Sequence, residues 1–211
     1  MTEMLEVPAA PLITGFVALV IQPDAATIRK AYELARSLMP TASQQTLAPG
    51  SLPHVTLTQC AVRDAPRERF AEFVNRLEAQ LRGLTIPLSA VENYGAGFLF
   101  WHAAPASPGR TMLQRAHEHA TTVADGLLDP VANAAVVEAT ATAFNNDQAL
   151  VENARRYGYA LIRECYQPHI TLGFDPRVAA VRTEHPHSMT VERVVLARLG
   201  GLGRIERVLS L

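Results

Sequence analysis

Cysteine is nearly missing from this chain of 211 residues, which holds only Cys60 and Cys165, far apart in sequence. Two thiols cannot build a disulfide-dense secreted scaffold. Their scarcity fits a reducing cytoplasm, with both expected as buried free thiols. A surplus of either charge is missing as well: 19 basic residues face 20 acidic ones, for a formal charge of −1. No global field therefore draws in a long polyanion such as duplex DNA, although a small or terminal phosphate remains an admissible ligand. Long uncharged apolar runs, of about 18 residues or more, are missing too, so no membrane span is expected. The apolar stretch AAPLITGFVALVI at 9–21 follows Glu3 and Glu6 with no Lys or Arg, unlike the basic start of a signal peptide. It reads as a first core strand.

With 48% hydrophobic residues, the chain is long enough to bury a sizeable core, and residues 1–211 read as a single domain of two lobes. GFVALVIQP at 15–23 predicts a strand, followed by Asp24 as N-cap of a helix over AATIRKAYELARSLM. TASQQTLAPGS at 41–51 reads as a polar loop, and RERFAEFVNRLEAQLRG as an amphipathic helix ending at Gly83. IPLSAVENYG and AGFLFWHAAP read as two strands across a turn near Tyr94 and Gly95, placing Trp101 in the core. Residues 107–127 predict a helix opened by Ser107 and Pro108. The stretch at about 129–157 reads as two helices broken at Asn145-Asn146-Asp147, and the tail as a hairpin around a Gly-rich turn at 200–203. This order predicts an α+β fold of two pseudo-equivalent lobes whose antiparallel sheets face each other.

One pattern stands above the rest. PHVTLTQ and PHITLGF repeat Pro-His-(Val/Ile)-Thr-Leu at His54 and His169. One His-x-Thr would mean little, whereas two copies of the pentapeptide exceed what composition supplies by accident. On a strand, alternate residues share a face, so His54 pairs with Thr56 on one side and Val55 with Leu57 on the other. The second copy is expected to show His169, Thr171 and Gly173 on one face and Ile170, Leu172 and Phe174 on the other. Two imidazoles with two hydroxyls suit attack on a phosphodiester: one His takes a proton from the nucleophile and the other gives one to the leaving oxygen. The two Thr hydroxyls donate to the non-bridging phosphate oxygens. A strained five-membered cyclic phosphate needs no metal for this.

These two HxT motifs, HVTL and HITL, resemble the two-histidine (2H) phosphoesterase superfamily, which includes the LigT-like RNA 2′,3′-cyclic phosphodiesterases, also called 2′-5′ RNA ligases. The opening GFVALVIQPDAATIRKAYELA and the closing VERVVLARLG and RIERVLSL are also similar to that family's ends. The resemblance implies a bilobal fold: two pseudo-symmetric antiparallel sheets facing a central groove, helices outside, and His54, Thr56, His169 and Thr171 lining the groove. It implies metal-independent hydrolysis of a 2′,3′-cyclic phosphate on a nucleotide or RNA end, without a cofactor, with ligation or non-RNA substrates in some members. His169 is assigned as general base and His54 as general acid, the roles exchanging if the substrate binds the other way round. The helical material at about 129–157 departs from the compact members as an insertion that could cap the groove.

Two further readings stay open on the residues: a non-catalytic nucleotide- or phosphate-binding module, and an esterase of the same mechanism acting on a small-molecule phosphoester. Tyr166 and Arg163 are candidate substrate contacts, an aromatic face for a base and a cation for phosphate. A zinc site from His54, Cys60, Cys165 and His169 is rejected, because six strand residues separate His54 from Cys60 by about 20 Å. His117 and His119 are expected as solvated helical residues, His185 and His187 as loop residues, and Tyr94 as a turn residue. The oligomeric state is not legible.

Overall fold

The computed structural model describes residues 12–39, 47, 51–94, 97–175 and 181–211. Most of the polar loop expected at 41–51, and the tip of the turn after Tyr94, lie outside the described residues. Seven strands, β1 (Leu12–Pro23), β2 (Val55–Pro66), β3 (Thr85–Tyr94), β4 (Phe98–Ala103), β5 (His169–Phe174), β6 (Arg182–Leu199) and β7 (Ile205–Val208), alternate with α1 (Ala25–Leu38), α2 (Arg67–Leu81), α3 (Pro108–Ala120), α4 (Pro130–Ala143) and α5 (Gln148–Tyr157). The expected α+β class with antiparallel strands holds. The two halves are one continuous sheet, in the order β1-β2-β5-β4-β3-β6-β7, and β1 also pairs with β6, closing a ring.

β6 makes that closure possible because it is 18 residues long: Arg182 to Thr190 pairs with β3, and Val191 to Arg198 with β1. His185 and His187 therefore lie in a strand, not a loop. The His185 carbonyl accepts from Trp101 Nε1 at 3.0 Å, and Trp101 is fully buried as expected. On the far side of the ring the halves meet at a single pair, Val55 with Ile170, which joins the two motif strands.

α1, α2 and α3 cover one face of the sheet. Leu34, Phe70, Leu77, Leu81 and Leu113 pack there against Val17, Leu19, Ile21, Leu57 and Leu172. The caps are those the residue types favour. Asp24 accepts from the N–H groups of Ala26 and Thr27, and also ties Thr190 of β6 at 2.7 Å. Ser107 caps α3 with Pro108 as its first residue, but the helix stops at Ala120 and a 3-10 turn fills 121–124, short of the expected 127. α4 and α5 lie on the opposite face. Asn145 and Asn146, with φ of 51° and 58°, break the chain between them, and Asp147 caps α5. From there Leu150, Tyr159, Leu161 and Ile162 pack on Phe100 of β4. Tyr94 ends β3 with its ring stacked on Phe100 at 5.2 Å, so it belongs to this cluster rather than to a turn. Among the described residues no helix is long and apolar enough to cross a membrane.

Candidate active site

Both motif strands depart from strict alternation at the same place. In β2, Thr56 pairs with Val20 and Thr58 with Leu19, so Leu57 has no counterpart. In β5, Thr171 pairs with Phe100 and Gly173 with Leu99, leaving Leu172 over. Each is a β-bulge at the Leu that ends the repeated pentapeptide, and an extra residue flips the phase of the strand beyond it. This corrects the simple two-face expectation for β5. Gly173 points into the helix-covered core, where an added Cβ would lie 2.4 Å from Met39 Sδ, and Phe174 turns to the groove side. In β2 the same slip brings Gln59 and Ala61 to the cavity after His54 and Thr56.

Between the sheet and α4 lies an open cavity of about 950 Å³, and His54, Thr56, His169 and Thr171 all line it. Antiparallel direction at the Val55–Ile170 pair sets His54 beside Thr171 and Thr56 beside His169, an approximately two-fold arrangement. The imidazoles are held alike. His54 Nδ1–H donates to the Leu52 carbonyl at 2.8 Å and His169 Nδ1–H to the Gln167 carbonyl at 2.5 Å, each to the residue two positions earlier. A carbonyl can only accept, so the proton sits on Nδ1 in both rings, which leaves each Nε2 able to accept, or to donate once the ring is charged.

Burial disfavours the imidazolium in both. It holds His169 down to about 3, helped by the positive charge that His102 and His54 would bring, while the Gln167 carbonyl pulls the other way. Burial lowers His54 too, against its bond to Leu52. The Phe100 ring lies flat on His169, centroids 3.5 Å apart and planes 17° from parallel, which fixes the imidazole plane and keeps water off one side. His102, in register with His169 across β4 and β5, is buried with its Nε2 3.5 Å from Glu92 Oε1.

Tyr166 and Arg163 do not reach this cavity. Tyr166 is buried on the other side of the sheet, its hydroxyl donating to the Thr56 carbonyl at 3.1 Å and its ring stacked on His117 at 3.8 Å. Arg163 is exposed, its guanidinium over the Tyr157 ring at 5.0 Å and its side chain beside a separate hollow with Gln114 and Glu118. Both expected contact roles fail on position: the bend before β5 turns these side chains toward α3. His117 in turn is fully buried, not solvated. Its Nδ1–H donates to the Leu57 carbonyl at 2.5 Å and its Nε2 accepts from the Arg163 N–H at 2.8 Å. Two side chains thus seize consecutive carbonyls at the β2 bulge. Sequence reasoning missed this brace because nothing in α3 signals that a β-strand carbonyl will face it. His119, two residues on, packs on Phe73 instead.

No protein-family model matches the sequence, and no curated protein matches it. Solved structures do. A Thermus thermophilus protein, TT0787, superposes with a TM-score of 0.55 at 19% identity, over 92% of this chain and 95% of its own. E. coli LigT, solved in complex with NADP+, gives a TM-score of 0.53 at 16% identity over 93% and 95%. At these identities the likeness defines the fold: an α+β chain with the LigT-like architecture.

Proposed function

We propose that the protein is a metal-independent phosphodiesterase that opens a 2′,3′-cyclic phosphate by two-histidine acid–base catalysis. The carrying observation is that both His-x-Thr pairs, 115 positions apart, line one cavity with both imidazoles in the same Nδ1–H tautomer. The phosphodiester monoanion sits between them, its non-bridging oxygens accepting from the Thr56 and Thr171 hydroxyls. Water attacks phosphorus opposite the 3′ oxygen, and His169 Nε2 takes the water proton as the P–O bond forms. As the P–O3′ bond breaks, His54 Nε2–H gives its proton to the departing oxygen, leaving a 2′-phosphate. His169 ends protonated and His54 neutral, and solvent exchange restores both.

His169, held down to about 3 by burial, is neutral at pH 7 and so available as base. His54 must enter charged, and the substrate anion supplies the opposite charge that raises an imidazole. The LigT-like fold supports the same reading, E. coli LigT having been solved in complex with NADP+. Hydrolysis of the four 2′,3′-cyclic nucleotides in EDTA, with His54→Ala and His169→Ala alongside, tests the proposal. Each variant, with an unchanged melting temperature as evidence of folding, is expected to lose on the order of 10²–10⁴-fold in kcat. Full activity in both, or binding without turnover by the native chain, refutes it; the latter outcome describes a non-catalytic binding module.

A further inference from the structure

The wall opposite the four motif residues is largely hydrocarbon, with Glu138, Thr140 and Thr142 as the polar side chains of α4 along it. α4, PVANAAVVEATATA, turns Ala132, Ala135, Val136 and Ala139 toward the cavity, and Phe98 and Phe174 face them from β4 and β5. Among the described lining residues Glu138 is the one carboxylate, and no Lys or Arg is present. We infer that the preferred substrate is a phosphodiester monoanion bearing one phosphate and an uncharged, hydrocarbon-rich alkyl or aryl ester group, which docks beneath α4. This rests on the proposed phosphodiesterase reading and names its substrate class.

Three observations converge on that occupant. A second phosphate would meet the exposed Glu138 carboxylate and an apolar surface, with no Lys or Arg among the described lining residues to pair it. Apolar and aromatic side chains, Phe16, Phe98, Phe144 and Phe174 among them, offer the ester group contact along the wall. The volume, about 950 Å³, exceeds what a phosphate needs and suits a compact organic group. Alanines on α4 leave that room, since their short side chains do not fill the space below the helix.

The test uses p-nitrophenyl phosphodiesters whose second ester is methyl, butyl or hexyl, beside 2′,3′-cyclic AMP and an oligoribonucleotide ending in a 2′,3′-cyclic phosphate. The expected result is a KM that falls about three- to fourfold per added methylene, with the oligonucleotide no better than the mononucleotide. Ala139→Asp, on a helix face that tolerates the change, is expected to flatten the chain-length dependence. A flat series, or an oligonucleotide bound tighter than the hexyl ester, overturns the inference while leaving the phosphodiesterase reading intact. If neither these esters nor 2′,3′-cyclic AMP is hydrolysed, the same series is measured by calorimetry. A chain-length slope in affinity then upholds this binding class although the catalytic proposal has failed, and no slope overturns both.

Discussion

Removing one oxygen, in Tyr166→Phe, tests whether the segment ahead of the second motif holds the first one in place. Phe preserves the ring, its 3.8 Å stack on His117 and nearly all of the burial, so the change isolates the 3.1 Å bond to the Thr56 carbonyl. That carbonyl is left one hydrogen bond short at a buried bulge, a loss of about 1–2 kcal/mol. In a chain of this length it lowers the melting temperature by about 2–8 °C. Thr56 is also expected to lose its fixed position against the phosphate. Misplacement of a positioned group by about 1 Å costs up to roughly 10²-fold, and kcat for a 2′,3′-cyclic nucleotide is expected to fall about tenfold with KM little changed. Urea denaturation and steady-state kinetics on the same preparation give both numbers. His117→Gln, which removes the neighbouring tie to the Leu57 carbonyl, is expected to be non-additive with Tyr166→Phe by about 0.5 kcal/mol or more. The reasoning is refuted if Tyr166→Phe matches the native protein in stability and kcat. A stability loss with kcat untouched would reduce Tyr166 to a packing residue.

Two further outcomes follow from burial and backbone geometry. His169 and His117 are held at about 3 and about 4, chiefly by desolvation, against an ordinary 6.5. The unfolded chain therefore binds protons below pH 6.5 that the folded one refuses, so stability is full above that pH and falls progressively toward pH 3. At about 1.4 kcal/mol per pH unit for each group, the combined loss reaches several kcal/mol. Denaturation midpoints unchanged between pH 7 and pH 4.5 would contradict this. Gly158 ends α5 with φ of 76°, and an added Cβ would stand 3.2 Å from Cys60 Cβ in β2. Gly158→Ala is expected to cost about 1–3 kcal/mol through the left-handed backbone and the contact, read by chemical denaturation; a neutral result would mean that α5 does not press on β2.

Much of the fold was legible because local chemistry and tertiary packing agree in it. The Asp24 and Ser107 caps, the Asn145-Asn146-Asp147 break and the apolar period of β1 all act within a few residues. What sequence hid is whatever depends on a distant partner. β6 reads as beginning near Met189, since RTEHPHS lacks an apolar face of its own; it is a strand because β3 offers a ladder from Pro87 to Glu92. His117 looks like a surface residue until the Leu57 carbonyl is known to point at it. Tyr166 and Arg163 follow from the same blindness: proximity to His169 in sequence says nothing about which face a bend delivers. The four motif residues converge in one cavity because their signal was a repeat, and a repeat carries information about a pair of strands rather than one.

The bulges explain why that repeat extends to the leucine. A regular strand would send the residue two after each Thr to the cavity, putting Thr58 and Gly173 there and the following Gln59 and Phe174 into the core. Slipping one position at Leu57 and Leu172 keeps His-x-Thr on the groove side, seats a fully buried Leu against the helices, and delivers Gln59 and Phe174 to the cavity wall. The slip also frees backbone polar groups from the ladder, and an orphaned buried carbonyl must find a donor. At the first bulge His117 and Tyr166 provide it, and both sit in segments that lead toward or touch the approach to the second motif. The pentapeptide is thus a unit of geometry: its His and Thr face the cavity, and its Leu sets the kink that lets the two strands be braced to one another.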